Sequence, residues 1–253
     1  MSTGLAVEGL TVRFGGLTAV ADVAIEAPVG RITGLIGPNG AGKTTTFNAC
    51  TGLQKPTSGT IRFAGRDVSN VSVQGRSQIG LGRTFQRMEL FESLTVRENV
   101  SIGREALLAG SRPWTHIWCS GKARAEIEQA TRDALELCGI TDLADHPVAS
   151  LSTGARRLVE LARSVAGRST LLLLDEPSSG IDHRETDRFG DTLLSLVAER
   201  GLGILIVEHD MELVMRVCDH IYVLDFGQML FEGTPDEVRS SEIVRHAYLG
   251  SEV

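Results

Sequence analysis

Eight consecutive residues, Gly37-Pro38-Asn39-Gly40-Ala41-Gly42-Lys43-Thr44, have the types and spacing needed to hold a chain of phosphates. Glycine at 37, 40 and 42 lets the backbone wrap so that successive N–H groups point inward at anionic oxygens. A helix opening at Lys43 adds the positive end of its dipole. Lys43 is long enough to reach the β and γ phosphates of a nucleotide, the Thr44 hydroxyl suits a Mg²⁺ ion, and Thr45 offers a further hydroxyl. An ordinary glycine-rich strand–helix turn is the competing reading. Its weakness is context: the apolar run Ile32-Thr33-Gly34-Leu35-Ile36 leads straight in, a helix-like stretch from about Lys43 to Cys50 leads out, and lysine occupies only three of the 253 positions.

Two further strings place acids where such a loop needs them. Leu171-Leu172-Leu173-Leu174 has the makings of a buried strand and runs into Asp175 and Glu176. Ligands of open α/β sheets sit beyond the carboxyl ends of the strands. There Asp175 suits a Mg²⁺ ion held through its water shell, and Glu176 suits a base that polarises an attacking water. Ile204-Leu205-Ile206-Val207 repeats the pattern and delivers Glu208, His209 and Asp210 to the same edge. A lone histidine after a strand is usually structural, so His209 gains weight only from its company. It could donate to a γ-phosphate or position the water.

The elements that must hold these groups follow from periodicity. Leu5–Val12 and Val20–Ile25 alternate like antiparallel strands, and Thr60–Phe63 adds another after the turn signal Lys55-Pro56-Thr57-Ser58-Gly59. From about Thr95 to Val165 the pattern is helical, with Ile127, Ala130, Ala134 and Leu137 on one expected face and Leu158, Ala162 and Val165 on another. Strand-like runs return at 171–174, 203–207 and 221–224, separated by helix-length segments, as in a parallel sheet covered on both faces. This predicts a single α/β domain, 1–253, interrupted by a helical insert at 87–165. The chain carries a net charge of −7, which argues against nucleic acid as a partner. No stretch approaches the length of an apolar membrane span, the first residues lack the layout of a signal peptide, and Cys50, Cys119, Cys138 and Cys218 show no metal-binding spacing. A cytosolic protein with buried thiols is the expectation.

Taken together, these strings resemble the ATP-binding subunits of ABC transporters over about Leu5 to Gly250. The order matches: Phe14 before the loop, the loop itself, Gln86 after a strand, Leu151-Ser152-Thr153-Gly154-Ala155 in the insert, Asp175-Glu176, the segment Ser179-Gly180-Ile181-Asp182, and His209. The resemblance implies a P-loop NTPase (RecA-like) core with an N-terminal antiparallel β subdomain and an inserted helical subdomain, hydrolysing ATP with Mg²⁺. It also implies that Phe14 stacks on adenine, and that Gln86 touches Mg²⁺ and the attacking water. Ser152 and the backbone N–H groups at Gly154 would serve in trans, at the γ-phosphate of ATP held by the loop of another subunit, so that two cassettes pair head to tail around two nucleotides, and Asp182 would be a further nucleotide-binding residue. The signature departs from the family's LSGGQ at Thr153 and Ala155, while Ser152 and Gly154, which the trans contact needs most, remain.

Finer details are similar to importers of branched-chain amino acids and their urea and amide relatives: Phe14-Gly15-Gly16-Leu17, Leu81 through Gln86, Glu208-His209-Asp210-Met211, and Gly233-Thr234-Pro235 through Ala247-Tyr248-Leu249-Gly250. The closing Tyr-Leu-Gly also occurs in lipopolysaccharide-export ATPases, so an exporter stays open as an alternative, beside an ABC ATPase outside transport. The resemblance implies a second, paralogous cassette, transmembrane permease subunits, and a place on the cytosolic face of the membrane reached only through those partners. Met88, Leu90, Phe91 and Leu94 are an apolar run in an expected surface loop, where a permease helix would dock. Trp114 and Trp118 are expected to fill a small core, and Arg156, Arg157 and Arg163 to form a solvated or acid-paired face.

Overall fold

A computed structural model describes residues 4–84, 89–111 and 121–249, the side chains of 109–111 and 249 excepted. Gln86, Met88, Cys119 and both tryptophans lie outside the described residues. The chain opens with a hairpin, β1 (Leu5–Phe14) and β2 (Leu17–Ala27), then β3 (Ile32–Ile36) leads into α1 (Lys43–Thr51). β4 (Ser58–Phe63), β5 (Arg66–Asp67), α2 (Val73–Gln78) and β6 (Leu81–Arg83) follow. Three helices, α3 (Val96–Ser111), α4 (Gly121–Leu137) and α5 (Thr153–Ala166), stand between β6 and β7 (Leu171–Asp175). The remainder is α6 (His183–Arg200), β8 (Gly203–Val207), α7 (Met211–Val217), β9 (His220–Asp225), β10 (Gln228–Gly233), α8 (Pro235–Ser240) and α9 (Glu242–Leu249).

The strands make two sheets. One is antiparallel, in the order β2-β1-β4-β5; the other runs β10-β9-β3-β8-β7-β6, parallel throughout except for β10. Continuous apolar runs mark the parallel strands because both of their faces are covered. Along β7 the leucines alternate: Leu171 and Leu173 join Leu35, Leu205, Val207 and Phe47 beneath the antiparallel sheet. Leu172 and Leu174 join Ile36, Ile204 and Ile206 beneath helical residues such as Val159, Leu161, Leu193 and Leu213. The register brings Leu35 and Asp175 level with Val207, so β3, β7 and β8 release Gly37, Glu176 and Glu208 at one edge.

Helix faces depart from expectation in detail. In α4 the buried stripe is Thr131, Ala134 and Leu135 rather than Ile127, Ala130 and Leu137, which are half-buried. The stripe is rotated toward α3 and α5, where the next turn places Cys138. In α5 the acid-paired form of the arginine expectation holds: Arg157, buried, sits 3.2 Å from the equally buried Glu160, and Arg156 sits 3.2 Å from Glu92. Short α2 has no apolar stripe at all. Ser72 caps it, and the buried Arg76 guanidinium donates to the carbonyls of Ala49 at 2.7 Å and Cys50 at 2.6 Å, closing the C-terminal end of α1. The described thiols at 50, 138 and 218 are buried and free; burial pushes those of Cys50 and Cys138 up to about 12 and so keeps them protonated.

Candidate active site

The glycine loop is confined on two sides. A Cβ at Gly37 would stand 2.1 Å from the Leu224 carbonyl oxygen of β9, and one at Gly42 would stand 2.8 Å from the Ala19 oxygen of β2. Gly37, Gly40 and Gly42 have φ of 149°, 82° and 96°, in the range glycine alone adopts freely. Gly42 caps α1 without a side-chain acceptor, and no acid sits in the first turn, so the opening N–H groups of the helix keep their capacity for an external anion. Lys43 Nζ donates to the carbonyls of Gly37 at 2.6 Å and Pro38 at 3.0 Å, which holds the ammonium within the loop. Burial lowers its pKa, and the nearby Glu176 and Asp175 carboxylates act in the opposite direction.

A cleft of about 340 Å³ opens above this loop, lined by Asn39 through Thr45, by Glu176, and by Leu17, Thr18, Ala19 and Phe226. Glu176 is held by its own backbone: its N–H donates to the Val207 carbonyl at 2.8 Å, and its φ is 46°, a strained value for a residue with a side chain. Behind it Asp175 is buried. Its pKa is raised by desolvation first, with Arg83 opposing and Glu176 and Glu208 adding repulsion. A buried acid, an exposed threonine hydroxyl and a half-buried one, grouped beside the lysine, form the oxygen donor set that suits Mg²⁺ beside a polyphosphate.

Not every residue singled out in the sequence reaches this cleft. Phe14 lies at the end of β1, half exposed and paired across the hairpin with Leu17, and it is Leu17 that lines the cleft. His209 is exposed, with Nδ1 3.7 Å from Glu208 Oε2, and it too stands outside the lining. Ser152, Gly154 and Asp182 form a separate constellation. Ser152 caps α5, and Asp182 caps α6 by accepting from the Glu185 N–H at 2.9 Å. The two caps are joined, because Ser152 Oγ donates to Glu185 Oε1 at 2.7 Å and that carboxyl packs over Gly154, where a Cβ would lie 2.4 Å from Cδ.

Glu208 is the residue whose part sequence reasoning missed. Fully buried, it accepts the Ser178 N–H on Oε1 at 2.7 Å, and the His209 and Asp210 N–H groups on Oε2 at 3.0 and 3.3 Å. One carboxylate thus ties the backbone after Glu176 to the backbone at His209. The signal was present: an acid continuing the apolar run Ile204–Val207 must either be solvated or find buried donors. Glu185 and Phe226 offered no comparable local signal.

Comparison with known proteins agrees with this geometry. A family model described as ABC transporter matches residues 20–179, and a second, described as branched-chain amino acid ATP-binding cassette transporter, matches 228–253. The high-affinity branched-chain amino acid transport ATP-binding protein LivG of Salmonella typhimurium is 40% identical over 97% of both chains. Its counterpart BraF of Pseudomonas aeruginosa is 38% identical, again over 97% of each. Among solved structures, the ADP conformation of MJ1267, an ATP-binding cassette of an ABC transporter, superposes with a TM-score of 0.86 at 30% identity, covering 99% of this chain and all of that one. The likeness runs from the first strand to the last helix and includes the phosphate loop and the paired acids, so this chain belongs to the ATP-binding cassette family, the ATP-hydrolysing subunits of ABC transporters.

Proposed function

We propose that this ATPase subunit powers the uptake of branched-chain or closely related amino acids, and that its 253 residues form one ATPase domain with 87–165 as an inserted helical signature subdomain. The names of its relatives and the family match over the C-terminal residues support the cargo class. One observation carries the chemistry: the phosphate loop, Lys43, Thr44, Thr45 and Glu176 line a single cleft. ATP seats its phosphates on the amides of 37–44, with the Lys43 cation neutralising the β and γ groups. Glu176 takes a proton from a water positioned by its carboxylate; the water oxygen bonds to the γ-phosphorus as the bond to the β–γ bridging oxygen breaks, and ADP leaves. Thr44 and Asp175, with Gln86, would hold Mg²⁺, which would supply charge neutralisation at the phosphates. Phe14, paired across the hairpin with the cleft-lining Leu17, is the aromatic that would stack on adenine, and His209 would donate to the γ-phosphate or position the water.

Ser152, Gly154 and Asp182, lying outside this cleft, support service to a nucleotide on a second cassette, a paralogue paired head to tail. Among the described residues no helix is long and apolar enough to cross a membrane. Transmembrane permease subunits therefore supply the path for cargo, and this chain sits on the cytosolic face through them. A two-variant binding and turnover experiment tests the assignment. Lys43→Ala is expected to lose ATP affinity, whereas Glu176→Gln is expected to keep ATP bound while turnover falls by about 10²–10⁴-fold. Normal turnover in Glu176→Gln would remove that residue from the chemistry, and unchanged ATP affinity in Lys43→Ala would refute the loop assignment.

A further inference from the structure

Behind the cleft, one arginine reaches both of the elements that build it. Arg83 ends the edge strand β6, level with Leu173 of β7, and the chain stays fastened there because the Thr84 N–H donates to the Leu173 carbonyl at 2.9 Å. Its side chain crosses to α1, the helix that opens at the phosphate loop. The guanidinium carbon stands 5.1 Å from the centre of the buried Phe47 ring, a cation–π contact, and Nη1 donates to Thr51 Oγ1 at 3.0 Å. The Thr51 hydroxyl donates its own hydrogen to the Asn48 carbonyl at 3.0 Å, so its oxygen is oriented to accept from Arg83. No residue of the last turn of α1 is basic, and a cation at Thr51 therefore also meets the negative end of the helix dipole.

β7 continues from Leu173 to Asp175, which is only 3% exposed. A carboxylate buried to that degree needs an opposite charge close by. Lys43 is the obvious source, but its ammonium is turned into the loop by the Gly37 and Pro38 carbonyls. Of the two cations that act on Asp175, Arg83 has the larger effect, against repulsion from Glu176 and Glu208. Of the two acids that act on Arg83, Asp175 leads and Glu89 follows; Glu89 is exposed, where solvent screens it. Arg83 stands outside the lining of the cleft, so it acts on the site from the rear.

We infer that Arg83 is a positioning residue for the metal: it holds the Asp175 carboxylate in place and ties it to α1, the helix that carries Thr44. The inference rests on the reading of the cleft as a Mg·ATP site. Thr44 and Asp175 come from different elements, and their spacing is set only as well as α1 is fixed against β7. Arg83 spans that junction, with its planar face on Phe47, a hydrogen bond to Thr51 and its charge toward Asp175. A guanidinium can stack and donate at once, which an ammonium cannot do equally well.

The test titrates Mn²⁺, a paramagnetic stand-in for Mg²⁺, into the chain saturated with a non-hydrolysable ATP analogue, and reads bound metal by electron paramagnetic resonance. ATP binding without metal and melting temperature are measured beside it. Arg83→Met keeps cover over Phe47 and Arg83→Gln keeps a hydrogen-bonding group, so a fold lost in one neutral variant can be retained in the other. Both are expected to bind Mn²⁺ roughly ten- to a hundred-fold more weakly, with metal-free ATP affinity within about two-fold of the parent. Arg83→Lys, which keeps the charge, should recover part of the loss. Asp175→Asn should weaken Mn²⁺ as well, and combining it with Arg83→Met should add little, because the two residues act as one unit. Unchanged Mn²⁺ affinity in the neutral variants, beside a loss in Asp175→Asn, overturns the inference and leaves the cleft reading standing; a lower melting temperature alone would then make Arg83 a structural tie. Fully additive losses in the double variant also overturn it, since Arg83 would be acting elsewhere than through Asp175. Unchanged Mn²⁺ affinity in Asp175→Asn removes the metal role of that acid, and both readings fall.

Discussion

Glu176 and Glu208 each follow the last residue of adjacent parallel strands, yet their surroundings divide the work between them. Glu176 lines the cleft, while Glu208 is sealed beneath it with three backbone N–H groups on its two oxygens. The value of a buried carboxylate so surrounded lies in the backbone it fixes. Glu208→Ala strands those donors, at about 1–3 kcal/mol for a buried group left without a partner, and lowers the melting temperature by roughly 3–10 °C. Because the donors flank Glu176 and His209, turnover is expected to fall while ATP affinity, set by the loop, stays within about two-fold. Thermal melts and steady-state kinetics check the two halves, and a parallel loss of ATP affinity would show that Glu208 supports the phosphate loop instead. The local strings around 37–44, 171–176 and 204–210 were legible because strand, turn and functional group are contiguous there. Glu185 could not be found that way, since its partner Ser152 stands on another helix. Phe14 drew attention by its position, but the ladder sets it beside Leu17, which reaches the cleft.

Elements that bury a full apolar stripe or run were legible, and those held by polar caps were not. β3, β7 and β8 are buried along their whole length, so their sequences read as unbroken apolar runs. Edge strand β10 is mostly half-buried, and α2 depends on the Arg76 guanidinium, so neither carries a periodic signature. The contact between α5 and α6 has a consequence of its own. Ser152 Oγ is engaged by Glu185, and a carboxylate already occupies the amino end of α5. If that end receives phosphate from a partner's ATP, the incoming charge has the same sign and competes for the same hydroxyl. Glu185→Gln removes the repulsion and keeps the shape. ATP-driven pairing of cassettes in the Glu176→Gln background is therefore expected at about three-fold lower ATP, in line with the 0.3–1 kcal/mol of a charge at a helix terminus. Light scattering across an ATP titration reads the midpoint. A midpoint that stays put or moves upward would mean that Glu185 helps to build the trans site rather than blocking it.

At the scale of the whole molecule, hydrolysis matters only if the cassette transmits it to the permease, and we propose that the segment 89–94 serves that transmission. Leu90 packs on the helical core, whereas Phe91 turns outward and is 54% exposed. The segment is fastened from behind. Asn99 of α3, wholly buried, accepts the Phe91 N–H at 2.8 Å and donates to the Phe91 carbonyl at 3.0 Å. Arg163 of α5 donates to the Glu89 carbonyl at 2.6 Å. A force on Phe91 thus reaches both α3 and α5, the helix that Ser152 caps. Met88, the other end of the expected docking run, lies outside the described residues. An exposed aromatic on a rigid mount has the character of an interface anchor, and truncating such anchors commonly costs 2 kcal/mol or more, about thirty-fold in affinity. Phe91→Glu adds the burial of a charge to that loss, so co-purification with the permease subunits is expected to fail while ATP affinity and melting temperature match the parent chain. Asn99→Ala provides the contrast: the anchor remains, its mount loosens, and the complex should assemble but hydrolyse ATP without coupled uptake. If Phe91→Glu still co-purifies with the permease, the anchor lies elsewhere and 89–94 serves only to join the sheet to its helices.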